Sequence, residues 1–440
     1  MTAIPKPSRR DFLRTAAATA AAAASPYLIP RGVLAAEGRP GANDRIGIAG
    51  IGVGRQGSGD FHSAVRSKVG RAVAVADVNL KQAERIAKSV KAEPFQDFRR
   101  VLERKDVDAI VTATPDHWRA LICIYACQAG KDIYAEKALT LTIREGRVLA
   151  DAVRKYKRVF QTGSQQRSDP QNRFGCELVR NGRIGKIERV IGANYPSPWE
   201  CKFPGQPVPD GLDWDLWCGP VEPVPYHPDI CTPRAKPGWL SCRPFSGGEM
   251  TGWGAHGIDQ IQWALGMDES GPVEVWVEGP KYNPPTYTEP ESGGRGNQLC
   301  SSPKIFYRYA NGVIVELGKG NQGGGIFIGD KGRIEIFRSK VTSNPPEIVK
   351  EPVQPDEIHL YKSNNHMQNW LDCIKSREKC VADVEIGHRS ITVCHLGNIA
   401  RWLNRRLRWD PVKEVFPDDA EANQYLDRPR RKPWVLPENV

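Results

Sequence analysis

Short apolar runs alternate with amphipathic stretches through the first part of the chain. Residues 45–50 read RIGIAG, a short strand, and run into the turn Gly50-Ile51-Gly52-Val53-Gly54-Arg55-Gln56-Gly57. The next apolar run, 72–76, ends at Asp77, and Ile86, Ala87 and Val90 then recur at helical spacing. Residues 107–111 form a third strand pattern that leads into Thr114-Pro115-Asp116-His117. A helix near 118–129, a strand at 132–135, a helix near 142–156 and a strand at 159–161 complete the series. Alternation of this kind predicts an α/β fold whose parallel sheet is covered on both faces.

The pattern then changes. Residues 195–245 hold twelve prolines and four tryptophans. Proline removes backbone donors and fixes φ, so this stretch reads as a long ordered loop. Five β-rich segments follow, at 273–278, 303–309, 312–317, 325–329 and 332–337, with Gly312 and Gly332 at turns. They predict a large, mostly antiparallel sheet in an α+β second domain. Amphipathic helices near 365–376 and 387–404 are expected to pack back on the first domain, followed by an Arg- and Pro-rich docking tail. His388 and His395 share a helical face and read as core. The resulting division is 1–35 leader, 36–165 first domain, 166–362 second domain and 363–440 returning helices and tail.

Composition narrows the classes. A chain of 440 residues exceeds one ordinary core. Apolar residues at 40% and charged residues at 26% suit a soluble globular protein, and no apolar run is long enough to span a bilayer. The net charge of +11 is spread along the chain without a basic block, which argues against nucleic acid as a partner. The eleven cysteines show no paired CxxC spacing, so no metal set is expected. Cys123 and Cys127 share a helical face as small apolar residues. After export, a disulfide among Cys201, Cys218, Cys231 and Cys242 is one reading, and spacing leaves the pairing open.

The glycine turn carries the first chemistry. Glycines let a backbone approach a pyrophosphate, and the following helix N-terminus offers free N–H donors. Gly50, Gly52, Val53 and Gly54 are therefore expected to bind a dinucleotide. Asp77, at the end of the next strand, suits a ribose diol, which favours NAD over NADP. Two registers fit: Gly52-x-Gly54-x-x-Gly57 by spacing, and Gly50-x-Gly52 by its place against the strand end, with Arg55 in the third position.

Thr114-Pro115-Asp116-His117 and the run from Ala129 to Ala138, ending Glu136-Lys137-Ala138, resemble the glucose–fructose oxidoreductase/inositol dehydrogenase (Gfo/Idh/MocA) family. Gly163-Ser164-Gln165-Gln166-Arg167, the Trp214–Pro220 segment and the run from His366 to Trp434 extend the likeness over nearly all of the mature chain. The resemblance implies a Rossmann domain that binds NAD or NADP with Thr114, Pro115, His117, Glu136 and Lys137 in its site. It places Lys137 beside the nicotinamide and the substrate hydroxyl. Ala138 stands where the family has proline, often after a cis peptide, so a different local geometry is expected. His256 and Asp259 match the family's His-x-x-Asp, with the histidine as acid/base and the aspartate orienting the ring or binding substrate. An imidazole suits that task because its pKa sits near neutrality. Gly252 occupies the position of a frequent family aspartate, and Glu249 is a candidate replacement. Arg167, Trp199, Trp214 and Trp253 are candidates for substrate contact, the tryptophans as faces for sugar C–H surfaces. The resemblance also implies self-association through the second domain's sheet.

Ser8-Arg9-Arg10-Asp11-Phe12-Leu13-Arg14 before an Ala-rich stretch resembles a twin-arginine export signal, with Ala35 closing the cleavage site. Such leaders engage the Tat machinery and deliver folded proteins to the periplasm. No free NAD(H) pool is expected there, so the cofactor must be held and restored in each cycle. The expectation is an exported sugar oxidoreductase with captive cofactor. Two alternatives stand beside it: redox-neutral glycoside cleavage through a transient keto-sugar, and a carbohydrate-binding protein without turnover.

Overall fold

A computed structural model of the chain describes residues 41, 44–234, 238–284, 286–288, 299–437 and 440. The leader and its cleavage site lie outside the described residues. The chain divides at Arg45/Ile46, and the unit Ile46–Val440 holds both sheets.

The first sheet has six strands: β1 (Ile46–Ile51), β2 (Gly70–Ala76), β3 (Glu93–Phe95), β4 (Ala109–Thr112), β5 (Asp132–Ala135) and β6 (Phe160–Thr162). Their order is β3-β2-β1-β4-β5-β6, and all pairs are parallel. β1 and β4 are buried throughout, as their unbroken apolar runs require when both faces are covered. Phe61, Ala83 and Trp370, from three helices, cover one face. Leu121, Leu149 and Leu396, from three others, cover the opposite face. β3 was not expected from its pattern. It is an edge strand, where Pro94 opposite Val75 disrupts no interior ladder.

The second sheet has eight strands, β7 (Ile187–Ala193), β8 (Glu274–Glu278), β9 (Lys304–Arg308), β10 (Ile314–Gly318), β11 (Gly324–Gly329), β12 (Gly332–Phe337), β13 (Lys340–Asn344) and β14 (Leu407–Arg408). The order is β13-β12-β11-β7-β10-β9-β8-β14, antiparallel except at β7–β10. The helix Gly254–Leu265 packs on β7 and β11 and against the helix Val384–Leu403.

The proline-rich stretch is not wholly irregular. It contains short helical turns at Trp214–Cys218, Pro228–Cys231 and Trp239–Ser241 around a small core of its own. The tail then returns to the first domain. Arg428 Nε and Arg430 Nη2 both reach Glu145 Oε1 at 3.0 Å. Burial alone would raise that carboxyl, but the two guanidinium groups hold it below its ordinary value. Trp434 meets Trp118 edge-on at 4.8 Å, and Arg431 Nε donates to Gly219 O at 3.0 Å in the proline-rich stretch. His388 and His395 are core residues, bonded to Glu414 (2.8 Å) and Thr140 O (3.1 Å).

Candidate active site

In an open parallel sheet, ligands bind beyond the strand C-termini where the order reverses. Here that point lies between β1 and β4, and a cavity of about 720 Å³ opens there. Its floor includes Gly52, Gly54, Asp77, Thr114 and Pro115.

The structure resolves the register of the glycine turn. Gly52 has φ +72°, and a side chain there would meet Thr114 Cγ2 at 2.6 Å. A side chain at Gly57 would lie 2.1 Å from Gly52 O, so this glycine lets helix and strand close together. Gly54 faces open space at the head of the helix Arg55–Arg66, whose N-terminus has no side-chain cap. Gly52, Gly54 and Gly57 all line the cavity. Gly50 lies inside β1 rather than at the cavity, because the strand continues through Ile51. Val53 is buried, but its N–H donates to Asp77 Oδ2 at 2.9 Å and so ties the turn to β2. Asp77 Oδ1 accepts Asn79 N at 2.9 Å. Burial pushes the Asp77 carboxyl up to about 6, which leaves it mostly ionised at pH 7. Each oxygen retains a lone pair for a hydroxyl. The open space at Gly54, uncapped N–H donors and a carboxylate at the strand end fit a dinucleotide with a free ribose diol.

His117 does not reach the cavity. Its ring is buried, with Nε2 on Trp217 O at 2.9 Å, and burial holds its pKa near 3. It joins the first domain to the proline-rich stretch instead of touching a nucleotide.

Glu136 and Lys137 follow β5 and line the cavity. Lys137 Nζ lies 3.8 Å from Glu136 Oε2. The Lys137–Ala138 peptide is cis, so alanine keeps the geometry expected of proline. Sequence reading missed the group that holds this loop. Arg119, fully buried, donates to the carbonyls of Ala138 and Thr114 and pairs with Asp116 Oδ1 at 3.0 Å. Asp116 Oδ2 accepts Ser246 Oγ at 2.8 Å. One guanidinium thus links the Thr-Pro loop to the Lys137 loop.

Asp60, on the helix after the glycine turn, was also missed. Burial, and then the neighbouring Glu136 carboxylate, push it up to about 7. An unfolded aspartate ionises near 3.9. The folded state therefore binds the extra proton between these values, and stability falls as pH rises through that window. Asp60→Asn is expected to raise Tm by roughly 2–4 °C at pH 8 and to change nothing at pH 3.5, in paired melting curves.

His256 sits in the first turn of the helix Gly254–Leu265, edge-on to Trp253 at 5.8 Å. Burial, then the charges of Lys137, Arg338 and Arg234, hold it well below the ordinary histidine value. It is a neutral acceptor at pH 7. Trp253 lines the cavity, with Arg338 4.9 Å over its ring. A side-chain Cβ at Gly252 would lie 2.7 Å from Glu249 Oε2. The Glu249 carboxylate thus stands where a residue-252 side chain would be, held by Arg234 (2.7 Å) and Trp253 N (3.2 Å).

Four other expected site residues lie elsewhere. Asp259 does not orient His256. Its oxygens accept Arg167 Nε at 2.9 and 3.0 Å and Ser390 Oγ at 2.7 Å. Arg167 also reaches Asp268 Oδ1 at 2.7 Å and is fully buried, so it has no surface for substrate. Trp199 is buried against Tyr287, and Trp214 stacks on Trp217 at 4.4 Å, so both belong to the small core. Among the described residues no cluster of His, Cys, Asp and Glu could hold a metal ion, and no helix is long and apolar enough to cross a membrane.

A strap from the proline-rich stretch roofs the cavity. Leu80 N donates to Gly211 O (2.9 Å), Asp213 N to Val78 O (2.9 Å) and Gln96 Nε2 to Gly211 O (3.1 Å). Leu212, Trp217, Cys231 and Leu240 of this strap line the cavity.

Comparison with known proteins agrees with this geometry. Residues 45–164 match the oxidoreductase family's NAD-binding Rossmann fold, and 183–436 match its C-terminal alpha/beta domain. Residues 6–26 match the twin-arginine translocation signal sequence, which directs export. The chain is 31% identical over 144 residues to scyllo-inositol 2-dehydrogenase (NAD(+)) of Bacillus subtilis, covering 32% of this chain and 42% of that protein. It is 31% identical over 112 residues to levoglucosan dehydrogenase of Pseudarthrobacter phenanthrenivorans, covering 26% and 28%. Each match thus spans less than half of the relative. Among solved structures, aldose-aldose oxidoreductase from Caulobacter crescentus superposes with TM-score 0.56 at 15% identity, over 83% of this chain and 99% of that one. The WlbA dehydrogenase from Bordetella pertussis, in complex with NADH and UDP-GlcNAcA, gives 0.57 at 15% identity, again over 83% and 99%. At that identity the likeness establishes the fold alone. Both domains together make the chain a member of the Gfo/Idh/MocA oxidoreductase family.

Proposed function

We propose that the mature chain is an exported NAD(P)-dependent oxidoreductase of a sugar or sugar derivative that keeps its cofactor through turnover. One observation carries the reading. Lys137, Trp253 and the Asp77 carboxylate line a single cavity under a strap of the same chain, and His256, behind Trp253, is near enough for the Lys137 charge to act on it.

A nicotinamide bound there would accept hydride from a carbinol carbon. The chain supplies the rest. The Lys137 ammonium holds the carbinol oxygen and stabilises charge as it develops. His256 takes the hydroxyl proton. The Trp253 face receives the sugar's C–H surface. Glu249 supplies the carboxylate that Gly252 lacks. Asp77 binds the ribose diol and repels a 2′-phosphate, so NAD is favoured. The strap supports a cofactor that stays bound, and retention suits a reaction that restores it within each cycle. We also infer self-association through the outer face of the second sheet, where Trp276 stacks on Phe306 at 5.4 Å.

The test is to denature the purified mature protein and weigh the released nucleotide by mass spectrometry. About one NAD per chain is expected. A protein that retains none and binds neither nucleotide on addition would overturn the reading and leave a carbohydrate-binding protein. Product analysis then separates the two cycles, an oxidised sugar or lactone from a split glycoside.

A further inference from the structure

The strap begins and ends at two cysteines. Residues 199–202 and 241–243 lie side by side: Trp199 N donates to Ser241 O at 2.9 Å and Arg243 N to Trp199 O at 3.0 Å. Between these rungs the Cys242 thiol points at Cys201, with the sulfurs 3.1 Å apart. Both are thiols in this structure. A disulfide needs the sulfurs to close to about 2.05 Å, roughly one ångström nearer than they stand. The chain enclosed between the two positions contains Gly211, Leu212 and Asp213, which bind the first domain, and Trp217, Cys231 and Leu240, which roof the cavity.

We propose that Cys201 and Cys242 form a disulfide after export and that this link fastens the strap over a cofactor already in place. The part concerning the cofactor rests on the function proposed above; the link itself does not. The twin-arginine leader directs the chain out of the reducing cytosol, and disulfides persist in oxidising compartments. The oxidant is a protein or small-molecule disulfide of that compartment. The Cys201 thiolate attacks it, a mixed disulfide forms, and one oxidant thiol leaves. Cys242 gives up its proton and attacks the Cys201 sulfur, and the second oxidant thiol leaves. The protein loses two protons and two electrons, and the oxidant becomes two thiols. The order follows from access. Cys201 is half-buried and reachable, whereas Cys242 is 1% exposed. The contact to Cys201 and burial also push the Cys242 thiol well above its ordinary value, so it reacts second, within the mixed disulfide.

The thiols nearest the strap do not compete on the same terms. Cys218 and Cys300 are buried within the small core, and Cys231 faces the cavity. Of the four cysteines whose pairing spacing left open, only 201 and 242 are brought into contact among the described residues.

The mature protein, isolated from the periplasm of a bacterial host without reductant, is alkylated, digested and mapped by mass. The expected product joins the peptides carrying Cys201 and Cys242, two hydrogens lighter than their sum. Alkylation of both residues, or a bridge from Cys201 to Cys300, would overturn the link. A second measurement reads its role. Treatment with a dithiol, or the substitution Cys201→Ser, is expected to speed release of bound nucleotide roughly tenfold and to lower Tm by about 5 °C. A linked protein whose nucleotide release is unchanged by the dithiol would overturn the fastening role. A linked protein that holds no nucleotide at all overturns the captive-cofactor reading and leaves the disulfide standing, so the two failures are distinguishable.

Discussion

Lys137→Ala is expected to reduce turnover of a sugar substrate by about a thousandfold while bound nucleotide and Tm stay close to those of the parent. The ammonium is the one cation on the Lys137 loop that faces the cavity, and its pairing with Glu136 is loose at 3.8 Å, while Gln165 (2.5 Å) and the Lys137 N–H (3.1 Å) also donate to that carboxylate. Removing the lysine therefore costs little packing. His256→Ala should lose roughly a hundred- to a thousandfold, and His256→Gln no less, because an amide does not take up a proton. The loss should appear in kcat more than in KM, since both groups act most strongly as charge develops on oxygen. Steady-state kinetics on protein with its nucleotide content verified makes the measurement. Unchanged turnover in both alanine variants would remove these residues from the reaction.

The second large effect is on stability. Asp259→Ala or Arg167→Ala should each cost roughly 3–5 kcal/mol, because each leaves a buried charge without its partner. Arg167→Ala strands two carboxylates, Asp259 and Asp268, and is the worse of the pair. Replacing both partners, as Arg167→Met with Asp259→Leu, should recover most of the loss, since the uncompensated charge is then gone. Denaturant titration reads the free energies, and kcat of the surviving folded protein should change far less than for Lys137→Ala. If Asp259→Asn keeps its stability but loses kcat a hundredfold, the aspartate belongs to the reaction and the assignment above fails.

That contrast shows how sequence and structure divide the information. The first sheet was legible because short apolar runs and helical spacing alternate cleanly, and β1 and β4 are unbroken apolar runs. β7 was not, because Glu188 and Arg189 interrupt its apolar face while the strand sits mid-sheet between β10 and β11. Lys137, Asp77 and Gly52 all line the cavity, the first pointed to by the family resemblance and the other two by a strand end and a glycine turn. Arg167 and Asp259 meet across 92 positions, and no local pattern announces such a pair. Asp259 follows His256 by one helical turn, so spacing suggested a partnership that the buried guanidinium pre-empts. Arg119 follows Asp116 at a distance typical of an exposed helix pair, yet both are buried and the arginine bonds two loop carbonyls. The tryptophan excess was plain; which rings face inward was not, because composition carries no direction.

The tail that clasps Glu145 bears on the order of events at the ribosome. Glu145 is buried in the first domain, yet its two cations stand at 428 and 430, and Trp118 is covered by Trp434. Gln161, at the end of the first sheet, likewise bonds His366 O (3.0 Å) and Ala382 N (3.0 Å). The domain made first therefore completes its core only once residues 428–434 have been synthesised. A chain released early keeps a buried carboxylate without its counter-ions and an open aromatic face. For a protein that crosses the membrane already folded, that dependence makes the stretch from Arg428 to Trp434 a check that synthesis has passed it.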